Sequence, residues 1–192
     1  MSKHLVFGAG PIGSATALEL AQSGHDVIVA SRSGRGPQHE NIALKSVDAS
    51  NAEAVLELAS GSTAIYNCLN PEYTKWATDW PPMANALLAA AVAHGSVYAI
   101  CSNLYGYGPV DGPISPDLPL AAPGVKGRVR AQMWQDALAA HARGDVRVTE
   151  VRSSDYVGPG AESHLGERVV PKLLAGKGVR VVGDPDAAHS WT

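Results

Sequence analysis

Short apolar runs alternate with longer amphipathic stretches from the first residues of the chain onward. Lys3 to Phe7 reads as a strand, and a glycine-rich turn comes directly after it. Ile12 to Ser23 then reads as a helix, with Gly24 as its stop. Within it Ile12, Leu18, Leu20 and the alanines can cover one face of a sheet. Asp26 to Ala30 carries Val27, Ile28 and Val29 in a row, the pattern of a strand buried on both faces. The same alternation predicts strands at Ala43 to Val47, Thr63 to Leu69, Ser96 to Cys101 and Val146 to Arg152. Between them helices are expected at Ala52 to Leu58, from Pro81 and Pro82 to His94, and at Lys126 to Arg143. Gly34 to Asn41 and Pro71 to Pro82 read as loops, as does the proline-rich stretch up to Pro123. The last expected elements are a helix at Glu162 to Ala175 and a short strand at Val179 to Val182.

Six strand signals alternating with helices specify an α/β fold, a Rossmann-type doubly wound parallel sheet with helices on both faces. Residues 1–192 are expected to form a single nucleotide-binding domain, with 153–192 contributing the start of a small, incomplete C-terminal substrate lobe. Such a lobe cannot bury Val169, Val170, Leu173, Leu174, Val179, Val181 and Val182 by itself, which points to cover from the sheet domain or from a second copy in a homodimer.

The first turn carries the earliest chemistry. Phe7 to Gly13 reads Phe-Gly-Ala-Gly-Pro-Ile-Gly. Strand, glycine turn and helix in that order are the geometry of a dinucleotide-binding unit. Gly8 permits the turn, Gly10 leaves room for a pyrophosphate, and Gly13 lets the helix approach the sheet. The stretch Gly10, Pro11, Ile12 and Gly13 then turns its free N–H groups and the positive end of the helix toward the phosphates.

The loop after the second strand bears on the cofactor. An NAD-preferring unit places a carboxylate there for the ribose 2′-hydroxyl. This chain has Ser31-Arg32-Ser33-Gly34-Arg35, two arginines and no carboxylate. Guanidinium groups suit a 2′-phosphate by charge and by their fork of donors. NADP is therefore the expected cofactor, with NAD as the alternative. A plain solvated basic loop would look the same. Asp48, after the third strand, either bonds the adenine amino group or belongs to the N-cap region of the next helix. Leu69 and Asn70, at the carboxyl end of the fourth strand, should lie beside the nicotinamide-side ribose. Tyr73, Trp76 and Trp80 either line a substrate cleft or seal the next helix onto the sheet, and the second reading is favoured.

Composition narrows the partners. The net charge of −3 gives no basic surface for nucleic acid. No apolar run is long enough to span a bilayer and no secretory signal segment is present, so a cytoplasmic location and no membrane partner are expected. Cys68 and Cys101 read as reduced thiols at strand ends, and the seven histidines show no metal-ligand spacing.

The chain resembles an extended, atypical short-chain dehydrogenase/reductase of the NAD-dependent epimerase/dehydratase family. Four stretches carry the likeness: Gly8 to Gly13, Tyr107-Gly108, Lys126 at a helix start, and Arg152 through Gly160. The resemblance implies an oxidoreductase with a serine–tyrosine–lysine set. The tyrosine exchanges a proton with the substrate oxygen, and the lysine bonds the nicotinamide ribose. Lys126 fits the lysine, or is a plain exposed lysine at a helix start. Four residues before it stands Ala122, and the serine position falls on Asn103, with Ser102 beside it. Tyr107 is the first substitute phenol and Tyr105 the second. The expected function is an NADP-binding epimerase, dehydratase or reductase acting on a small polar or sugar-like metabolite. The alternatives are a non-enzymatic NADP-binding redox-sensing regulator and an inactive shortened family member. The chain stops at Ala188 to Thr192, where the family's substrate lobe normally continues.

Overall fold

The computed structural model describes residues 1–157, 166, 169–180, 184, 186 and 189–192. Its contacts divide the chain into residues 1–151 and 152–192.

Residues 3–153 carry the expected sheet. Six strands, β1 (Lys3–Phe7), β2 (Asp26–Ser31), β3 (Ile42–Ser46), β4 (Ala64–Asn67), β5 (Val97–Asn103) and β6 (Val148–Ser153), lie in the order β3-β2-β1-β4-β5-β6. Strands β1 to β5 pair in parallel, and Leu5 of β1 sits between Ile28 of β2 and Ile65 of β4. The helices are α1 (Pro11–Gln22), α2 (Ala52–Leu58), α3 (Trp76–His94) and α4 (Val125–Ala142). Alternate residues of each central strand serve opposite layers. Leu5 and Phe7, with Ile65, Ile100 and Leu87, form one core, while Val6, Val27 and Val29 meet Ala17 and Ala21 of α1 on the other face. This explains why the central strands are apolar without alternation. The reversal of strand order beside β1 creates a crevice at the carboxyl ends, where ligands bind in such sheets.

Three local expectations are corrected. Residues 71–82 do not form one loop. A 3-10 turn at Tyr73–Lys75 leads straight into α3, which begins at Trp76 and contains Pro81 and Pro82 in its interior. Trp76 and Trp80, one turn apart, are buried with Ala84 and Met133, so burial of two indoles outweighs the donors that the prolines lack. The tryptophans do serve the core, but as part of α3 packed against Met133 of α4 rather than as loop residues sealing a later helix onto the sheet. The cap of α2 is Asn51, whose side chain accepts from the Ala54 N–H, and not Asp48. Finally, β4 ends at Asn67, because the Asn67 Oδ1 accepts from the Leu69 N–H and turns the chain there.

In the second unit, α5 spans Val170–Leu174. That is the described part of the helix expected at Glu162 to Ala175, whose earlier residues lie largely outside the described ones. Val179 and Arg180 are not in a strand, while Val181 and Val182 lie outside the described residues, as do Gly158 to Gly160. Val170, Leu173 and Leu174 are exposed. No helix of the described residues is long and apolar enough to cross a membrane.

A histidine pair closes the amino end of β1. The Ser2 hydroxyl lies 2.8 Å from His4 Nε2 and 3.0 Å from His25 Nδ1, and Tyr66 Oη is 3.2 Å from His4 Nδ1. Burial, and then the neighbouring His25, hold the His4 imidazole below its ordinary value of 6.5. The folded state therefore prefers neutral His4. Its contribution is full above 6.5 and is lost as the pH falls through the lowered folded value. Melting temperature should drop between pH 7 and pH 5, and His4→Gln should flatten that drop in a thermal denaturation series.

Candidate nucleotide and substrate site

The turn after β1 is built around backbone proximity. Gly8 has φ +103° and its N–H donates to the Ala30 carbonyl at 2.9 Å. A Cβ at Gly8 would stand 2.4 Å from the Cys68 carbonyl oxygen, and one at Gly13 would stand 2.0 Å from that of Gly8. These glycines let β1, β4 and α1 touch. Gly10 differs, since a Cβ there would meet nothing within 4 Å. It faces open space at the start of α1. Gly10 is also the N-cap, with no side chain capping it, and Pro11 opens the helix. The first turn of α1 thus presents backbone donors and a positive helix end to that space. A dinucleotide pyrophosphate fits this cradle by room and by charge.

The loop after β2 is shaped by its own small side chains. The Ser31 hydroxyl donates to the Arg35 carbonyl at 2.9 Å, and the Ser46 hydroxyl donates to the Arg32 carbonyl at 2.9 Å. Ser31 therefore braces the loop, while Arg32 and Arg35 are exposed. Asp48 is also exposed, and its Oδ1 accepts from both the Ser50 N–H and hydroxyl. Those two bonds, with Arg32 nearby, hold its carboxyl below the usual carboxylate range. Leu69 is half-buried and Asn70 exposed beyond the end of β4.

Beneath the turn, Cys68 is half-buried, and burial followed by the neighbouring Cys101 pushes its thiol up to about 12. A thiol so held is a protonated packing group rather than a nucleophile. Asn67 is fully buried and donates to the Tyr98 hydroxyl at 2.9 Å, tying β4 to β5 below the crevice. No cluster of metal-ligating side chains occurs among the described residues.

The second half of the site gathers residues that come after β4 and β5. A cavity of about 330 Å³ is lined by Tyr73, Tyr105, Gly108, Ala122 and the start of α4 at Gly124 to Gly127. The Lys126 Nζ lies 4.0 Å from the centre of the Tyr73 ring. The Tyr73 hydroxyl donates to the Tyr105 hydroxyl at 3.3 Å. Trp76 stands behind both rings, its centre 5.2 Å from that of Tyr73 and 5.7 Å from that of Tyr105.

The sequence candidates separate here. Lys126 is in the cavity wall. Asn103 is the last residue of β5, and its Oδ1 accepts from the Tyr105 N–H, shaping the 3-10 turn at Leu104–Gly106. Tyr107 is 3% exposed, whereas Tyr105 is 42% exposed. Ala122 lies before the Gly124 cap, so it shares no helix with Lys126. Its N–H donates to the Gly106 carbonyl at 3.1 Å, and its Cβ fills the space beside Gly127, where an added Cβ would come within 2.4 Å. Tyr73 lines the cavity, the less favoured of the two readings given to the aromatic stretch. Its only signal was its place in an aromatic stretch after a strand, and two of the three aromatics there do serve the core.

The sequence profile of the NAD-dependent epimerase/dehydratase family matches residues 4–192. None of the functionally curated proteins matches the sequence. Solved structures share the fold. MoeE5, in complex with UDP-glucose and NAD, superposes with a TM-score of 0.84 at 24% identity, over 99% of this chain and 67% of that one. The UDP-glucuronic acid 4-epimerase from Bacillus cereus, in complex with UDP-glucuronic acid and NAD, gives 0.83 at 20% identity, over 99% and 68%. The UDP-N-acetylglucosamine 4-epimerase from Methanobrevibacter ruminantium, in complex with UDP-N-acetylmuramic acid, gives 0.86 at 14% identity, over 100% and 68%.

Proposed function

We propose a function from a fixed premise, that the chain belongs to the NAD-dependent epimerase/dehydratase family. The chain is an NADP-binding oxidoreductase, of epimerase/dehydratase or reductase type, that acts on a small polar or sugar-like metabolite. The observation that carries this reading is the open cradle at Gly10, an uncapped helix start facing the carboxyl ends of a doubly wound sheet. That three structural neighbours hold sugar nucleotides, two of them with NAD, supports the substrate class.

The residues divide the work. The backbone from Gly10 to Gly13 holds the pyrophosphate, and Arg32 with Arg35 takes the 2′-phosphate. A bound nicotinamide nucleotide supplies reversible hydride chemistry. Lys126 bonds the ribose or the substrate from the cavity wall.

Preference for NADP is the testable part. Charge-assisted hydrogen bonds contribute about 1.5–3 kcal/mol. Arg32→Ala should therefore weaken NADPH by roughly tenfold or more and leave NADH nearly unchanged in a fluorescence titration. Equal losses for both nucleotides would assign Arg32 to loop structure. A wild-type protein that binds neither nucleotide would remove the reading altogether.

One observation favours the regulator as a second reading. Ala122 offers no proton and Tyr107 is buried, so the phenol expected from the resemblance is absent from its place. A protein that binds NADPH tightly and turns over no sugar nucleotide would be such a sensor.

A further inference from the structure

We propose that the phenol of Tyr105, positioned by Tyr73, exchanges the proton with the substrate oxygen. The inference rests on the oxidoreductase reading and supplies the acid that Ala122 cannot. Three separate elements bring the groups together: the turn after β4 carries Tyr73, the turn after β5 carries Tyr105, and the first turn of α4 carries Lys126. All three line one cavity. Exposure decides between the neighbouring phenols, since Tyr105 reaches the cavity surface and Tyr107 is enclosed in the protein.

The geometry suits proton transfer. The Tyr105 oxygen accepts from Tyr73 at 3.3 Å, and a hydroxyl that accepts a bond still carries its own proton. Trp76 backs both rings, and Asn103 fixes the backbone N–H of Tyr105, so the phenol is held from two sides. The Lys126 ammonium over the Tyr73 ring places positive charge on the wall where a substrate oxygen gains negative charge. In the reducing direction, the Tyr105 O–H bond breaks and its proton forms a new O–H bond on the substrate carbonyl oxygen. A reduced nicotinamide nucleotide held by the backbone at Gly10 to Gly13 would supply the balancing electron pair as a hydride to the carbonyl carbon. The Tyr105 phenolate regains a proton from solvent through the half-exposed Tyr73 hydroxyl. Oxidation runs the same steps in reverse.

Two measurements test this. The first needs no turnover. The full chain is labelled with 3-fluorotyrosine at its six tyrosines and titrated with UDP-glucuronic acid without nucleotide, and signals are assigned by single Tyr→Phe variants. The Tyr105 and Tyr73 fluorine resonances should shift and the Tyr107 resonance should stay. The second uses NADPH with the keto form of the same sugar nucleotide. Tyr105→Phe should lower kcat about 100-fold or more with NADPH affinity intact. Tyr73→Phe should lower kcat about tenfold at constant KM, the mark of a positioning residue. Full turnover in Tyr105→Phe, a shift of Tyr107 in place of Tyr105, or a nucleotide-binding wild type with neither shift nor turnover would each overturn the proposal. The cofactor reading stands or falls separately, on NADPH binding itself.

Discussion

Gly13→Ala should unfold more easily than the wild type, while Gly10→Val should keep its fold and lose the nucleotide. The two glycines lie three residues apart in one turn, yet they face different things. The methyl of Gly13→Ala would sit 2.0 Å from the Gly8 carbonyl oxygen, and Gly8 cannot retreat, because its own N–H is bonded to Ala30 and its open side abuts the Cys68 carbonyl. Overpacking against backbone costs about 3 kcal/mol. At roughly 2–4 °C per kcal/mol for a chain of this size, the melting temperature should fall by roughly 6–12 °C. The Cβ of Gly10→Val would meet nothing within 4 Å, so circular dichroism and melting should stay near wild type. Its branched side chain occupies the cradle, and the loss of phosphate contacts should weaken NADPH on the order of 100-fold in a fluorescence titration. A Gly10→Val protein that binds normally would place the pyrophosphate elsewhere.

Arg130→Ala should be a strongly damaging change in α4. The side chain is 6% exposed, its Nη2 donates to the Cys101 carbonyl at 2.9 Å, and its guanidinium lies 4.7 Å from the Trp80 ring centre and 5.7 Å from that of Trp76. Truncation empties the space between α3 and the end of β5 and strips a part-buried carbonyl of a donor. A lost buried hydrogen bond costs about 1–3 kcal/mol and the cation–π contacts about 0.5–2 more, for a total of roughly 3 kcal/mol. Arg130→Met keeps most of the volume without burying a charge, so it should lose distinctly less. Urea denaturation of the two variants measures the difference. Equal, small losses would show that neither the guanidinium nor the stem of Arg130 holds the helices together.

The sheet was legible because its signals are local. Val27 to Val29 and Leu5 to Phe7 announce strands buried on both faces, and Gly8, Gly10 and Gly13 announce the turn between the first strand and helix. The parallel, doubly wound arrangement rests on the handedness of crossovers and needs no side-chain detail. The start of α3 was not legible. Prolines read as a boundary, and only the burial of Trp76 and Trp80 against Met133, a residue of α4 far along the chain, shows why the helix starts earlier. The cavity was half legible for the same reason. Lys126 is marked by its place at a helix start, but Tyr73 and Tyr105 acquire meaning only when the turns after β4 and β5 are brought face to face. The choice between Tyr105 and Tyr107 depends on burial, which neighbouring tyrosines in a loop do not reveal.

The prolines of α3 have a consequence for how the cavity wall moves. Pro81 and Pro82 have no N–H, so the Ala77 and Thr78 carbonyls have no donor four residues on. The first turn is consequently joined to the rest of α3 by two indole rings more than by its backbone ladder. In native-state hydrogen exchange, such a segment forms its own small opening unit, separate from the part of the helix around Leu87. Tyr73 stands just before that segment. In the same exchange experiment the amides around Tyr73, in the wall facing Lys126, should open ahead of those of the central strands.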